Sequence, residues 1–197
     1  MKVNRFVIGV DEAGRGPLAG PVAVGVVALS ASFAIREMFP GINDSKLLTP
    51  KKREHIFEQM QQFQKQGALR YTVEFSSAAD IDTVGITAAV RAAVYRGVRE
   101  LAPDPAGFRV LLDGLLKAPD EYDQETIVRG DQLEPVISLA SIVAKVARDR
   151  AMVELAREFP EYGFDKHKGY GTAVHYAAIR KHGLCAVHRK SWQIIKK

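Results

Sequence analysis

The sequence predicts an α/β fold in which a mixed sheet of five strands is flanked by helices. Two observations support this class. Short apolar runs rich in β-branched residues come first along the chain, and they then alternate with longer segments in which apolar residues recur at helical spacing. In addition, 197 residues with 47% hydrophobic content are enough for one domain with a sizeable core.

The predicted elements follow from these periodicities and from the turn residues between them. Apolar runs indicate five strands, near residues 5–11, 21–29, 69–75, 109–112 and 126–128. Helical spacing indicates four helices, at residues 50–66, 86–101, 138–159 and 172–182. The first helix begins at Thr49-Pro50, a capping residue followed by a proline in the first turn, and the second carries an apolar face that includes Ile86 and Val90.

The net charge of +5 is unevenly distributed along the chain. Residues 145–197 carry twelve Lys and Arg against five Asp and Glu, whereas the preceding part is slightly acidic. This pattern is typical of a protein that holds a polyanion across a metal site, although a solvated basic surface gives the same statistic. The single cysteine, Cys185, excludes an internal disulfide and suits a reducing, cytoplasmic compartment. Neither a signal peptide nor a membrane-spanning segment is expected.

Two carboxylates, Asp11 and Glu12, follow the first apolar run and precede the glycine-rich turn Gly14-Arg15-Gly16. Because burying an unpaired charge is costly, acids at the end of a buried strand indicate a function. Neighbouring strand residues point to opposite faces, so the two carboxylates converge only if the strand ends there. Beside the exposed amides of the turn, they suit a hard divalent cation and a phosphate-bearing ligand. A solvated Asp-Glu turn is the alternative.

Asp113 has the same position at the end of the fourth predicted strand, and Gly114 follows it. If the first and fourth strands are neighbours, Asp11, Glu12 and Asp113 meet at one edge of the sheet. Acidic groups so close repel one another unless cations neutralise them, and Mg²⁺ or Mn²⁺ accepts such oxygen ligands. An ordinary turn at Asp113-Gly114 is the alternative. The histidines are scattered along the sequence and no cysteine joins them, so a zinc site is not expected.

The predicted helix 138–159 carries a polar stripe opposite its apolar one. Ser138, Ser141, Lys145 and Arg148 follow one another at steps of three or four, which places them on one face. Such a stripe can bind phosphates, and we expect Ser141 and Lys145 to contact the substrate. A helix with one solvated side is the alternative.

These motifs occur together in one family. The stretch Gly9–Val22 resembles the signature of the type 2 ribonucleases H, and most closely that of the bacterial ribonucleases HII. Further segments match the family in its order, namely Asp44-Ser45-Lys46, Asp113-Gly114, Gly130-Asp131, Ala140–Asp149, His167–Thr172 and His188–Ser191. The resemblance covers nearly the whole chain, and we expect no room for the additional N-terminal domain of a ribonuclease HIII.

The resemblance implies a ribonuclease H-like sheet with a helical C-terminal extension. It implies one catalytic domain over residues 1–197, in which residues from about 160 to 197 form a basic substrate-binding extension. It also adds Asp131 as the fourth catalytic and metal-binding carboxylate beside Asp11, Glu12 and Asp113, with Mn²⁺ or Mg²⁺ as the cofactor. A monomer is expected.

The resemblance further implies the substrate contacts. The Gly14-Arg15-Gly16 turn is expected to contact the 2′-hydroxyl, the group that distinguishes RNA from DNA. Tyr170 is expected to stack on the substrate, although a loop anchor is the alternative from the residues alone. Lys46 and Arg189 are expected to contact the nucleic-acid backbone. After the fourth strand the chain reads Leu115-Leu116-Lys117, where the family often has a polar or basic pair, and this departure argues against a phosphate contact there.

The expected activity is hydrolysis of the RNA strand of RNA–DNA hybrids and cleavage on the 5′ side of ribonucleotides in duplex DNA, leaving 3′-hydroxyl and 5′-phosphate ends. These specifics come from the resemblance, whereas the residues alone indicate metal-dependent phosphodiester cleavage. Two other classes stay open at this point. A non-catalytic binding module would hold a hybrid equally with or without metal and leave it intact. A ribonuclease H-like DNA nuclease or resolvase would cut all-DNA duplexes.

Overall fold

Five strands form one mixed sheet in the computed structural model, which describes residues 5–42 and 48–192. They are β1 (Phe6–Ala13), β2 (Val22–Ser30), β3 (Leu69–Ser76), β4 (Phe108–Asp113) and β5 (Asp123–Ile127). Their order across the sheet is β3-β2-β1-β4-β5. The pairs β1–β2 and β2–β3 are antiparallel, and the pairs β1–β4 and β4–β5 are parallel.

Helices flank this sheet, as the predicted fold class requires. They are α1 (Ile35–Met38), α2 (Pro50–Lys65), α3 (Ala78–Val84), α4 (Ile86–Leu101), α5 (Gly130–Leu133), α6 (Pro135–Glu158), α7 (Phe164–His167) and α8 (Ala173–His182), with one turn of 3₁₀ helix at Pro160–Tyr162. The four predicted helices correspond to α2, α4, α6 and α8, and their bounds differ by at most a few residues. The structure therefore confirms the α/β class and the five-stranded mixed sheet.

The short helices were not predicted, because one or two turns contain too few apolar residues to show a period. A local signal for α3 was nevertheless present. The Ser77 hydroxyl accepts a hydrogen bond from the Asp80 N–H, and the Asp80 carboxylate accepts one from the Ser77 N–H, which is a capping box. The strand β5 lies about three residues before its predicted position, because its mostly polar residues at the edge of the sheet give no apolar run.

Different helices cover the two faces of the sheet. Val94 of α4 belongs to one apolar cluster with Val10 and Val26, whereas Ile137 of α6 belongs to a second cluster with Val27. Val26 and Val27 are neighbours on β2 but belong to different clusters, because successive side chains of a strand point to opposite faces of the sheet. The strand β2 is therefore buried on both faces. The site described below lies at the end of the face that α6 covers.

The backbone of helix α6 packs closely against the sheet at Gly25. A Cβ atom on Gly25 would lie 2.2 Å from the Ala140 carbonyl oxygen, so no side chain fits at this position. In the antiparallel register Gly25 is the partner of Asp11. The close approach therefore brings Ser141, the next residue of α6, beside Asp11.

The chain after α6 folds into a compact helical extension, as expected. Tyr162 and Phe164 pack against Met152 of α6 in a third apolar cluster. Ala19 joins this cluster and forms an isolated β-bridge with His188. Within residues 5–42 and 48–192, no helix combines the length and the apolar character that spanning a membrane requires.

Candidate active site

Most of the predicted site residues line one cavity of about 380 Å³. It is lined by Asp11, Glu12, Ala13, Gly14, Arg15, Gly16, Arg53, Asp113, Ser141, Lys145 and Tyr170. Two other predicted residues, Asp131 and Arg189, lie outside this lining. Residues from β1, β4, α2, α6 and the loop before α8 thus meet at one place, although they are far apart in sequence.

Asp11 and Asp113 stand side by side because β1 and β4 are parallel neighbours. The last pair in the register of these strands is Val10 with Leu112, so the two aspartates are the next residues on their strands. The condition stated from the sequence, that the first and fourth strands are neighbours, is therefore met. Both aspartates line the cavity.

Asp11 is nearly inaccessible to water, with 4% of its surface exposed. Burial raises the pKa of Asp11 to about 8, a hydrogen bond with Ser141 opposes the shift, and the charges of Glu12 and Asp113 add to it. An ionised Asp11 is therefore unfavourable in this environment unless a positive charge lies nearby.

Glu12 shares the cavity although β1 does not end at Asp11. The strand continues to Ala13, so the expectation that it ends between the two acids was wrong. The β1–β4 pairing stops at Val10, and both carboxylates lie beyond it. The Glu12 N–H donates to the Asp11 carboxylate at 2.7 Å, and the Arg15 guanidinium donates to the Glu12 carboxylate at 3.2 Å. Arg15 is therefore tied to the acidic cluster from the neighbouring turn.

Asp131 does not line the cavity, but its backbone contacts the side chain of Asp113. The Asp131 N–H donates to the Asp113 carboxylate at 3.3 Å, and the Asp131 carbonyl accepts a hydrogen bond from the Ser138 hydroxyl at 2.5 Å. The Asp131 residue is fully buried. Its backbone therefore orients Asp113, and the role of its side chain as a metal ligand stays a prediction.

The donor set of the cavity suits a hard cation. Three carboxylates face it, and among the described residues neither imidazole nor thiol groups line it. Oxygen donors of this kind fit Mg²⁺ or Mn²⁺ and not a zinc site. In the described part of the chain, no three His, Cys, Asp or Glu residues form a group that could hold a metal ion as they stand. The residues fit the ion chemically, and binding would require Asp11 to ionise.

Arg189 holds the Gly14-Arg15-Gly16 turn by hydrogen bonds, and Arg148 packs against Gly14. The guanidinium of Arg189 donates to the Gly14 carbonyl at 2.6 Å and to the Arg15 carbonyl at 2.8 Å. It also donates to the Gly20 carbonyl. Gly14 has a φ of 94°, and a Cβ atom there would lie 1.9 Å from Nε of Arg148, so both the backbone conformation and the space require glycine. The Arg189 guanidinium is engaged by this turn, and its direct contact with a substrate stays a prediction.

The polar stripe of α6 divides into two parts. Ser141 and Lys145 line the cavity, where the sequence argument placed substrate contacts. The Lys145 ammonium also donates to Asp149 at 2.6 Å. Ser138 and Arg148 instead donate to backbone carbonyls, and each is only 1% exposed. The alternative of one solvated helix side does not describe this part of α6.

Tyr170 lines the cavity with 46% of its surface exposed. Its ring lies beside the glycine turn, because a Cβ atom on Gly16 would come 3.9 Å from Cε1 of Tyr170. The Arg148 guanidinium lies 5.9 Å from the centre of the ring. The backbone before Tyr170 is anchored to the turn segment, since the Leu18 N–H donates to the Gly169 carbonyl at 2.8 Å. An exposed aromatic ring thus stands next to the turn and the carboxylates.

Arg53 is a cavity residue that the sequence argument missed. It lies on α2, and its guanidinium donates to the Leu48 carbonyl at 2.5 Å. Three basic residues follow one another at positions 51–53, and nothing in the sequence marks which of them faces the site. Lys46 lies outside the described residues, so its predicted substrate contact stays a prediction.

The fold and the site define the class of protein, an enzyme of the ribonuclease H-like type. The ribonuclease H2 of Pyrococcus horikoshii OT3 has the same fold with a TM-score of 0.76 and 25% identity, covering 96% of this chain and 94% of that one. Bst-RNase HIII, solved in complex with Mn²⁺, matches with a TM-score of 0.75 and 16% identity, covering 98% of this chain and 69% of that one.

Sequence comparison is more specific than fold. The family model of ribonuclease HII matches residues 8–195. The ribonuclease HII of Endomicrobium trichonymphae is 47% identical over 184 residues, which are 93% of this chain and 83% of the relative. The chain belongs to the ribonuclease HII family. It is therefore an endoribonuclease of the ribonuclease H type, and the alternative of a non-catalytic binding module is wrong.

Proposed function

We propose that this protein hydrolyses the RNA strand of RNA–DNA hybrids and cuts duplex DNA on the 5′ side of embedded ribonucleotides, leaving 3′-hydroxyl and 5′-phosphate ends. One observation carries the proposal. The adjacent carboxylates of Asp11 and Asp113 share a cavity with the Gly14-Arg15-Gly16 turn and the exposed ring of Tyr170. Groups suited to phosphodiester cleavage and groups suited to recognition of a ribose thus lie within reach of the same nucleotide.

The turn is the part that we expect to distinguish RNA from DNA. A 2′-hydroxyl both donates and accepts hydrogen bonds, so its recognition needs closely packed polar groups. Gly16 leaves open space toward Tyr170, so a sugar can approach the backbone of the turn closely. The Arg15 guanidinium, held by Glu12, supplies a positive charge at the same edge. Tyr170 offers an apolar surface on which the sugar or base beside the cut can stack.

The proposed cofactor is Mn²⁺ or Mg²⁺. Asp11, Glu12 and Asp113 would hold the cation, with Asp131 as the fourth carboxylate. When bound, such ions activate the attacking water and stabilise the leaving oxygen of the phosphodiester. Mn²⁺ is the ion in the Bst-RNase HIII structure, which makes it the first ion to test.

The nucleic-acid backbone would be held by basic residues around the cavity. Lys145, Arg53 and the Ser141 hydroxyl line it, and we include Lys46 and Arg189 from the family motifs. Residues from about 160 to 197 would form a basic extension of a single catalytic domain over residues 1–197. We propose a monomeric, cytoplasmic enzyme on the grounds given by its sequence.

A cleavage assay on matched duplexes tests the proposal. The substrates are DNA duplexes that contain zero, one or four consecutive ribonucleotides in one strand, each assayed with Mg²⁺, with Mn²⁺ and with a chelator. We expect cleavage of both ribonucleotide-containing duplexes with at least one of the ions, and end analysis should show a 3′-hydroxyl and a 5′-phosphate. Cleavage of the all-DNA duplex at a similar rate would instead favour a DNA nuclease, and full activity with the chelator would reject the metal site.

A further inference from the structure

Three histidines that are scattered in the sequence form one cluster beside the Tyr170 loop, and two of them are buried. His167 ends α7, His175 lies in the first turn of α8, and His188 follows α8. The rings of His167 and His175 stack with their centres 4.5 Å apart. His175 and His188 are at most 1% exposed, and their Nε2 atoms lie 3.1 Å apart. Sequence spacing gave no sign of this arrangement.

The backbone groups that contact His175 and His188 determine which ring nitrogen of each histidine carries the proton. The Cys185 N–H lies 3.0 Å from Nδ1 of His188, and because an amide N–H only donates, this nitrogen must accept. At the other end, Nδ1 of His175 lies 2.9 Å from the Tyr170 carbonyl, which only accepts, so this nitrogen must carry the proton. The shared bond is then donated by Nε2 of His188 to Nε2 of His175. The two ends, assigned independently, agree on one direction.

One proton on each ring is the neutral form of histidine, and burial also favours that form. It lowers the pKa of His175, and it lowers the pKa of His188 to about 4, with the neighbouring ring adding to the second shift. The remaining ring is also occupied, because Nε2 of His167 bonds the Tyr162 carbonyl at 2.8 Å and Nδ1 accepts from the Gly169 N–H at 3.2 Å. With their ring nitrogens engaged in this way, the three histidines do not form a metal site.

The chain of hydrogen bonds ends on the residue whose ring faces the cavity. The Tyr170 carbonyl accepts from His175 and also from the Thr172 N–H at 2.8 Å, so both of its lone pairs are used. The Tyr170 N–H donates to the His167 carbonyl at 2.9 Å. The backbone of Tyr170 is therefore held from the buried side, while its ring remains exposed beside Gly16.

We propose that His175 and His188 are positioning residues for Tyr170, and that their directed hydrogen bonds hold its ring where it meets the nucleotide at the cut. The substrate part of this inference rests on the proposed function of Tyr170. The assignment of the protons on His175 and His188 does not depend on that function, so it can be tested separately.

Nitrogen NMR on the histidine-labelled protein tests the hydrogen-bond chain without any substrate. At pH 7.5 we expect the Nδ1–H tautomer for His175 and the Nε2–H tautomer for His188. The Cys185 thiol also lies 3.0 Å from Nδ1 of His188. In the Cys185→Ala variant both tautomers should persist, because the backbone N–H, not the thiol, fixes the direction. An Nε2–H tautomer or a positive charge at His175 would overturn the inference, whether or not the protein cleaves RNA.

A double-mutant cycle tests whether the two histidines act through Tyr170. His175→Phe keeps the ring volume and removes both hydrogen bonds, whereas His175→Asn keeps an amide nitrogen that can donate to the Tyr170 carbonyl. We expect His175→Phe to lower kcat/KM on the single-ribonucleotide duplex about two- to tenfold, the range for one neutral hydrogen bond. We expect His175→Asn to restore part of this loss.

In the Tyr170→Ala background, His175→Phe should have little further effect, because the group it positions is gone. His182→Phe, at an exposed histidine of the same helix, is the control and should be neutral in both backgrounds. An equal loss from His175→Phe with and without Tyr170 would show a general structural role and overturn the inference. A wild-type protein that cleaves no ribonucleotide duplex would instead contradict the proposed function, and the NMR result would still decide the hydrogen-bond chain.

Discussion

The guanidinium of Arg189 donates to the carbonyl oxygen of Gly14 at 2.6 Å, across 175 positions of the sequence. Arg189 is fully buried, and its other hydrogen bonds go to the carbonyls of Arg15 and Gly20. Burial lowers the pKa of Arg189 to about 10, and the charge of Arg148 adds to the shift. A buried cation thus supports the backbone of the Gly14-Arg15-Gly16 turn.

Replacing Arg189 should therefore damage both the fold and the site. Arg189→Lys keeps a charge but cannot reach three carbonyls with one ammonium group, so we expect a loss of about 2 kcal/mol in the free energy of unfolding. Cleavage should fall as well, because the turn loses its support. Urea unfolding and the cleavage assay measure the two effects. Arg150→Lys, at an exposed ion pair with Glu54, is the control and should change stability by less than about 1 kcal/mol.

The carboxylates should be needed for cleavage but not for folding. Asp11→Asn and Asp113→Asn each remove one proposed ligand, and we expect both to abolish cleavage at saturating Mg²⁺ or Mn²⁺. Neither should lower the melting temperature in metal-free buffer, since Asn is uncharged and keeps an oxygen that can accept the N–H bonds of Glu12 and Asp131. Asp120→Asn, at an exposed position, should retain full activity. Near-normal turnover in either site variant would reject the metal site.

Gly16→Ala tests the approach of the sugar to the turn. The new Cβ would meet only Tyr170 Cε1, at 3.9 Å, so the folded protein should accept it with little change in stability. It would occupy space that we assign to the ribose, and activity on every RNA-containing duplex should fall. Affinity for all-DNA duplex, measured by fluorescence anisotropy, should change far less, because phosphate contacts dominate non-specific binding. Equal losses on both duplexes would mean that the turn is only structural.

Tyr170 should matter most where a single ribonucleotide is flanked by DNA. Tyr170→Ala removes one aromatic stack, which costs about 1–3 kcal/mol in transition-state binding. On a long hybrid the loss should be smaller, because other contacts compensate. Tyr170→Phe should retain most of the activity if stacking dominates, and lose it if the hydroxyl makes the contact. Cleavage of the single-ribonucleotide duplex by Tyr170→Ala at the wild-type rate would exclude Tyr170 as the residue that recognises this junction.

The histidine pair predicts a loss of stability in mild acid. The pKa of His188 is about 4 in the folded protein and 6.5 as the ordinary value, so between these values the unfolded chain binds more protons. The free energy of unfolding should therefore decrease as the pH falls from 6.5 toward 4, by up to about 3 kcal/mol from this group. His188→Gln, which cannot titrate, should show a weaker dependence in urea unfolding between pH 5 and 7. Identical slopes would contradict the lowered pKa.

The long elements and the acidic residues were predictable because their signals are local. The apolar runs of β1 and β4 are each followed by an aspartate. Because Val10 pairs with Leu112 in parallel strands, these two aspartates, Asp11 and Asp113, lie side by side. The helix α4 was predicted at its observed bounds, since its apolar residues keep a regular period over sixteen residues.

The parts that were missed depend on contacts between distant segments. Arg53 is one of three successive basic residues, and only the packing of α2 brings it to the cavity. The support that Arg189 gives to the turn was also missed, because no local pattern reveals the carbonyl groups that its side chain reaches. His175 and His188 likewise meet only through the return of the chain after α8.

The register of β1 with β4 has a consequence for the synthesis of the chain on the ribosome. Asp11 is made early, but its neighbour Asp113 emerges about a hundred residues later, and Arg189 later still. Contacts so distant in sequence form slowly and only after both partners are available. A nascent chain can therefore pair β1 with β2 long before it gains the second aspartate, and the Gly14-Arg15-Gly16 turn receives its Arg189 contacts last. The order of translation thus places completion of this cavity and its supporting contacts after nearly all of these residues have left the ribosome.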